Sequence, residues 1–263
     1  MSEFTIASWN INSVRLRIDN LLAALVKYNL DVICLQETKT RDEFFPEDAI
    51  KQTGYPHIAY VGQKSYNGVA IISKLPIKKI TNYQMVGRDD KRHISVELSN
   101  NLTIHNFYIP AGGDIPDRDL NDKFGHKLDF LDEIKTIFSN EQKQTIILGD
   151  FNIAPLEHDV WSHKQLAKVV SHTEIEIEKL NAIKSSAHWI DSHRKFVPIN
   201  EKLYSWWSYR AKDWEKSNRG RRLDHIWLSP DLEESLLSAN IHKETRGITS
   251  PSDHAIITTI LNL

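Results

Sequence analysis

The segment TIILGDFN, residues 145–152, shows most clearly the pattern from which the fold is predicted. Its first part is a short run of β-branched and apolar residues, which is typical of a buried strand. The run ends at Gly149 and Asp150, a pair that favours a turn. Similar segments along the whole chain predict seven further strands. Together, the predicted strands are Phe4–Trp9, Asp31–Gln36, Val69–Ser73, His93–Leu98, Leu102–Ile109, Thr145–Gly149, Leu223–Ser229 and Ala255–Leu261.

Apolar residues at helical spacing lie between these strands. Ser13 is placed to cap a first helix, a second stretch predicts another, and a third stretch fits one helix or two. The apolar positions are Ile18, Leu21, Leu22, Leu25 and Val26 in the first; Leu120, Phe124, Leu128, Leu131 and Ile134 in the second; and Leu166, Ile175, Ile177, Leu180 and Ile183 in the third. Because no linker, low-complexity tract or long repeat interrupts the sequence, we expect residues 1–263 to form a single domain of mixed sheets with outer helices.

Composition restricts the class of protein. The 263 residues are 40% hydrophobic and contain no apolar run long enough to span a membrane. One cysteine, Cys34, rules out a disulfide framework, and the start MSEFTIASWN has no basic, apolar leader. We therefore expect a soluble, cytoplasmic protein that does not bind membranes. The net charge of −2 is unlike that of a protein that coats nucleic acid, so any binding of nucleic acid must come from local patches.

Polar residues stand at the ends of many predicted strands. They are Asn10, Glu37, Tyr108, Asp150, Asn152, Asp224, Asp253 and His254. Each one alone is better explained as a turn or cap residue, but strand ends converge on one edge of a packed sheet, where clefts form. Crowded carboxylates need a cation, and oxygen ligands suit Mg²⁺ or Mn²⁺ rather than zinc. The residues predict a Mg²⁺ site with a histidine base and leave the hydrolysed bond open.

The motifs that hold these residues resemble the exonuclease III family, the class II abasic endonucleases of the endonuclease/exonuclease/phosphatase superfamily. The motifs are WNIN (9–12), LQETK (35–39), YIPAGGD (108–114), GDFNIAP (149–155), NRGRRLDHIWLS (218–229) and SDHAII (252–257). Their order runs from the first predicted strand to the last. The resemblance implies an α+β fold, a four-layer α/β/β/α sandwich in which two mixed sheets pack face to face, with a cleft at one edge.

The resemblance also implies a role for each strand-end residue. Metal ligands would be Glu37 with Asn10 nearby, together with Asp150, Asn152 and Asp253; the catalytic groups would be His254, Asp224, Asp150, Asn152 and Tyr108. Asp224 would orient His254, and the first proton would go to Asp150 or His254. Two positions depart from the pattern: Asn12 replaces a carboxylate of some relatives, and Ala111 replaces an amide.

The implied reaction is Mg²⁺-dependent cleavage of duplex DNA 5′ to abasic sites, with 3′→5′ exonuclease and 3′-phosphatase or phosphodiesterase activity. The segment Tyr204–Asp224 interleaves aromatic and basic residues, a pattern that suits DNA. In the resemblance, Trp206 and Leu223 form a pocket for a flipped-out abasic sugar. Arg221 stands where some relatives have an aromatic residue. The full set of expected substrate contacts is Trp206, Leu223, Arg221, Arg222, Asn218, Asn12 and Arg92.

The resemblance also implies contacts with the DNA backbone at further basic positions, which are Lys64, Arg88, Lys91–Arg92 and Lys123–Lys127. Two other functions remain open at this point, a superfamily phosphodiesterase acting on phospholipid or inositol phosphate, and a degenerate DNA-binding scaffold. The expected partner is double-stranded DNA with abasic sites or blocked 3′ ends. We expect a monomer that, in a bacterium, meets the nucleoid through its DNA.

Overall fold

Two six-stranded sheets dominate the structure, a computed structural model that describes residues 2–140, 142–211 and 213–263. In chain order the strands are β1 (Glu3–Asn10), β2 (Val32–Gln36), β3 (His57–Val61), β4 (Val69–Ser73), β5 (Ile77–Thr81), β6 (His93–Leu98), β7 (Thr103–Tyr108), β8 (Thr145–Asp150), β9 (Ile190–Asp191), β10 (Trp206–Trp207), β11 (Gly220–Arg221), β12 (Asp224–Leu228), β13 (Leu236–His242) and β14 (Ile256–Asn262). The first sheet has the order β13-β14-β1-β2-β4-β3 and the second β5-β6-β7-β8-β12-β9, while β10 and β11 form a separate hairpin.

Helices cover the outer faces of both sheets. They are α1 (Ile18–Lys27), α2 (Glu47–Lys51), α3 (Asp122–Ile137), α4 (His163–Leu166), α5 (Glu174–Ser186) and α6 (Trp214–Ser217). Short 3₁₀ turns occupy Asp42–Phe44, Met85–Gly87, Glu157–Asp159, Pro230–Ser235 and Lys243–Arg246. Within the described residues, no helix combines the length and the apolar character that crossing a membrane requires.

Alternation along the strands builds a separate core on each face of a sheet. In β8, Ile146 and Leu148 point into the core between the two sheets, where Cys34 also lies. Ile147 points the other way, into a core formed with α3 and α5. The first sheet packs its outer face, including Trp9, on α1 and α2. These three cores separate four layers, so the expected α/β/β/α sandwich is confirmed.

All eight predicted strands lie inside the sheets, and the four sheet edges, β3, β5, β9 and β13, are strands that the sequence pattern missed. These edge strands are half-exposed along most of their length. Because they bury little surface on either face, they lack the continuous apolar run that identified the central strands.

Four details of the predicted helices are wrong, the first being that Val26, expected on the apolar face of α1, is 72% exposed. The side chain of Ser13 does not cap α1, which begins at Ile18. Leu120 precedes α3 and is 74% exposed. Ile175 is exposed whereas its neighbour Glu176 is fully buried, because the Glu176 carboxylate closes a capping box with Thr173 and pairs with a buried lysine of α3.

Candidate active site

The strand ends that the sequence singled out meet at one edge of the sandwich. β1 and β2 run parallel in one sheet and β7 and β8 in the other, so that the carboxyl ends of each pair come together. Antiparallel β12 starts beside the end of β8, with Asp224 opposite Asp150. The side chain of Asn10 bridges the two sheets, since its Nδ2 donates to Glu37 and to Asp150, each at 2.9 Å. Both sheets therefore contribute to one cleft.

Glu37 is held by three donors. Its Oε1 accepts from Asn10 and from the Tyr108 hydroxyl at 2.8 Å, and its Oε2 pairs with Lys39 at 2.6 Å. Burial alone would raise the pKa of Glu37, but the charge of Lys39 and the hydrogen bonds to Glu37 lower it. Glu37 has φ +52° and Asn152 has φ +53°, a left-handed conformation that costs about 1–3 kcal/mol. Such strain persists where the surroundings fix a side chain for function.

The ring of His254 is hydrogen-bonded to the carboxylate of Asp224. Its Nδ1 donates to Asp224 Oδ2 at 2.9 Å, and its Nε2 faces Asp150 Oδ2 at 3.8 Å. Burial would lower the pKa of His254, but the carboxylates of Asp224 and Asp150 raise it; burial raises the pKa of Asp150. The three residues are at most 4% exposed. The arrangement suits proton transfer at Nε2 with the ring fixed by Asp224.

Ser205 completes this dyad and was not predicted. Its Oγ donates to Asp224 Oδ2 at 2.6 Å and accepts from the backbone amides of Leu223 and Asp224. A serine between aromatic residues carries no sequence signal for this role. Lys39, also unassigned from the sequence, follows Glu37 by two positions within the LQETK motif, which was the available signal.

Oxygen atoms surround a positive charge at the mouth of the site. Lys39 Nζ lies 2.6 Å from both Glu37 Oε2 and Asn12 Oδ1. Carboxylate and amide oxygens are ligands that hard cations prefer, and in this arrangement the Lys39 ammonium occupies two of them. Asp150, Asp224 and His254 also offer ligand atoms within 4.8 Å of one another. Asp224 and His254 already bond each other, and the oxygen atoms around Glu37 form a second place that could hold a metal.

A wall of the cleft comes from the β10–β11 hairpin. Trp206, Leu223 and Arg221 line a volume of about 380 Å³ together with Asp150 and His254. The indole Nε1 of Trp206 donates to Asp253 Oδ2 at 2.9 Å. Leu223 is buried and Trp206 half-buried, so they offer an apolar surface next to the catalytic groups.

Four residues that were predicted to contact the substrate lie outside the cleft or at its rim. Arg222 is 1% exposed and bonds Asp159 and Asp191, so the predicted contact with DNA is wrong: a guanidinium saturated by two buried carboxylates is not available to a phosphate. Asn218 ends α6 in a left-handed conformation and accepts from the buried Trp207.

Arg92 lies behind Tyr108, with its guanidinium carbon 4.8 Å from the ring centre and its Nε on Asp90. Asn12 bonds Asp253 at the rim. A further basic position, Lys127, is fully buried and pairs with Glu176, so it is not a backbone contact to DNA.

Comparisons with known proteins agree with this architecture. The model of the Endonuclease/Exonuclease/phosphatase family matches residues 7–254. An exodeoxyribonuclease III of Haemophilus influenzae is 33% identical over 267 residues, covering 95% of this chain and 97% of that protein. The structure of an AP endonuclease from Archaeoglobus fulgidus superposes with a TM-score of 0.92 at 28% identity, covering 99% and 100% of the two chains. A 3′ phosphatase from Neisseria bound to a product DNA hairpin has a TM-score of 0.89 at 26% identity, with the same coverage.

Proposed function

The chain belongs to the endonuclease/exonuclease/phosphatase family, within its exonuclease III group, and from that premise we propose how it acts as a DNA-repair nuclease. It is a metal-dependent hydrolase of DNA. We propose that it cuts the P–O3′ bond 5′ to abasic sites and removes blocking groups or nucleotides from 3′ ends. The main support for this proposed activity is the convergence of four groups at one cleft with an apolar wall. They are the buried dyad of His254 and Asp224, the carboxylate of Asp150, and Glu37.

In the proposed reaction, water attacks phosphorus and loses its proton to the pair formed by Asp150 and His254. The two act jointly, because 3.8 Å separates Asp150 Oδ2 from His254 Nε2. Burial would lower the pKa of His254, but the charge of Asp224 raises it and so stabilises the imidazolium form of the pair. Burial raises the pKa of Tyr108 well above its ordinary value, so its hydroxyl stays protonated and can donate to a phosphate oxygen or to the leaving O3′.

We propose Mg²⁺ as the metal, with Mn²⁺ able to substitute. Glu37 and Asn10 would hold it, and Asp150, Asn152 and Asp253 offer further oxygen atoms nearby. When bound, the ion neutralises charge on the phosphate oxygens as the bond breaks. Asn152 supports the site through its amide, which donates to Ile109 O at 2.9 Å and Asp150 Oδ2 at 3.2 Å.

Trp206 and Leu223 would hold the abasic sugar, which fits an apolar wall once the base is missing. The relatives described above are named as an exodeoxyribonuclease, an AP endonuclease and a 3′ phosphatase bound to DNA, so the alternative phospholipid or inositol phosphate substrate is not proposed. We propose that the chain acts as one domain, because both sheets supply side chains to the cleft, and that it works as a monomer in the cytoplasm without a membrane partner.

Cleavage of three labelled duplexes tests the function: one with an internal tetrahydrofuran abasic analogue, one with a 3′-phosphate and one with an undamaged recessed 3′ end. We expect cleavage of all three, which stops with EDTA and with His254→Ala. His57→Ala, at a sheet edge, serves as the matched control and keeps wild-type rates. Cleavage that survives both EDTA and His254→Ala refutes the mechanism. Equal loss on the abasic and undamaged substrates in Trp206→Ala contradicts the pocket.

A further inference from the structure

A positively charged side chain stands in the cleft wall close to the catalytic groups. Arg221 pairs with Trp206 across the β10–β11 hairpin, and Trp206 in turn bridges to His254. Since paired residues on neighbouring strands are about 5 Å apart, the backbones of Arg221 and His254 lie about 10 Å apart. Arg221 lines the same cleft as Asp150 and His254, so its side chain belongs to the wall beside the catalytic groups.

The guanidinium of Arg221 has unused charge and donors. Nη1 donates to Val170 O at 3.1 Å and to Ser171 Oγ at 2.6 Å, and Cζ lies 5.5 Å from the Trp206 ring centre. Throughout residues 2–140, 142–211 and 213–263, no carboxylate forms an ion pair with Arg221 and Nη2 finds no hydrogen-bond partner; Nε has none either but is buried, so Nη2 is the donor that a ligand can reach. The groups that Arg221 bonds directly are neutral, and the carboxylate of Glu176 acts on it only from behind Ser171. The guanidinium can therefore form a charge-assisted hydrogen bond with an anion.

The support beneath Arg221 is rigid. Glu176 accepts the Ser171 backbone amide with both carboxylate oxygens, at 3.0 and 2.9 Å. Lys127 pairs with Glu176 at 2.5 Å in the interior, and donates to Asn152 O at 2.8 Å. The loop that bonds Arg221 is thus tied to the loop that follows Asp150. Because this network already holds Arg221 in position, little ordering is required when a ligand binds.

The chemistry of the cleft decides what Arg221 meets. When the P–O3′ bond breaks, the DNA 3′ oxygen departs with a proton, the water oxygen joins phosphorus, and the group on the other ester oxygen stays in the cleft beside the hairpin wall. At an internal abasic site that group is an uncharged sugar, for which Trp206 and Leu223 suffice. At an oxidised 3′ end it is a small acid.

We propose that Arg221 is a specificity-determining residue that binds a negatively charged 3′-blocking group, with a carboxylate such as that of 3′-phosphoglycolate as the matching chemistry. This role rests on the nuclease function proposed above and defines its preferred damage. Other parts of the cleft repel an anion, because they are lined by the carboxylates of Glu37, Asp114, Asp150 and Asp253. The positive charge of Arg221 therefore also determines where the acidic group of the substrate binds.

Two isosteric substrates test this role: a recessed 3′ end carrying phosphoglycolate and the same end carrying its uncharged amide, phosphoglycolamide. For the wild type we expect kcat/KM to be about tenfold higher on the glycolate, the effect of one charge-assisted hydrogen bond. Arg221→Gln should remove that preference. It should leave kcat/KM on the glycolamide within about twofold of wild type, because the uncharged amide offers no negative charge whose pairing with the guanidinium could be lost. Arg221→Lys keeps the positive charge and should keep part of the preference for the glycolate. Arg219→Gln, at an exposed arginine over Trp161, is the control and retains the full preference.

Equal losses on both substrates in Arg221→Gln would make Arg221 a mere support of the wall and overturn the proposal. So would a wild type that cuts glycolate and glycolamide at equal rates, although the nuclease function would then stand. A wild type inactive on both ends and on the abasic duplex would refute the nuclease function itself, and the role of Arg221 with it.

Discussion

Replacing Asp224 by asparagine tests the centre of the proposed mechanism with the smallest change of shape. Asp224 is 1% exposed, and its Oδ2 accepts from His254 Nδ1 at 2.9 Å and from Ser205 at 2.6 Å. Asparagine keeps the volume and removes the charge. Its Nδ2 either faces His254 and favours the wrong tautomer, or takes the position of Oδ1, which is buried and has no partner within the described chain.

The expected loss follows from these contacts. A hydrogen bond to a charged group contributes about 1.5–3 kcal/mol, and a buried donor without a partner costs about 1–3 kcal/mol more. Together they predict a fall in kcat of about 10²–10⁴-fold. Because the side chain of Asp224 lies beneath His254 and does not line the cleft, KM should stay within about threefold of wild type. The pKa of His254, which the carboxylate of Asp224 raises, should fall.

Steady-state kinetics on the tetrahydrofuran duplex measure kcat and KM, and NMR titration follows the His254 ring. Asp231→Asn, at an exposed aspartate bonded to Ser229 and Gln144, is the matched control and should behave as wild type. Thermal denaturation checks that both variants fold. A kcat within tenfold of wild type, or a loss found only in KM, would refute the role assigned to Asp224.

Three further perturbations address the metal, the interior and pH. Glu37→Gln should raise the Mg²⁺ concentration for half-maximal cleavage by at least about tenfold, since the charge at the centre of the donor set is lost; an unchanged metal titration contradicts the assignment. Lys127→Met leaves Glu176 buried without its cation, which costs about 3–5 kcal/mol and should lower Tm by about 6–20 °C. Lys51→Met, in an exposed pair, should cost less than about 1 kcal/mol, and equal effects would refute the comparison. Burial lowers the pKa of His193 to about 4, so the folded state binds fewer protons than the unfolded state between pH 6.5 and 4. The free energy of unfolding therefore decreases as the pH is lowered through this range. His193→Gln should flatten the slope of unfolding free energy against pH, measured in urea, by about 1.4 kcal/mol per unit; an unchanged slope means that His193 is not buried neutral.

Local sequence patterns predicted the interior of the fold and most of the chemistry. The eight central strands are buried on both faces, so each leaves an apolar run that can be recognised without knowing its neighbours. Polar residues at the ends of such strands stood out for the same reason, and the structure brings Glu37, Asp150 and His254 together. The edge strands and Ser205 left no such signal in the sequence. An edge strand forms because a neighbouring strand pairs with it, and the role of Ser205 comes from its contact with Asp224, which lies in another segment.

Two adjacent arginines show what only the tertiary structure decided. Arg221 and Arg222 are the same residue type in the same basic segment, and both were predicted from the sequence to contact the DNA. Successive side chains of an extended chain point to opposite sides, so one faces the cleft and the other the interior. Arg222 tolerates burial because Asp159 and Asp191, distant in sequence, neutralise it. The sequence by itself determined the eight central strands and the acids at their ends. The partners of each charge, and hence which arginine can meet a substrate, were decided by the packing of distant segments.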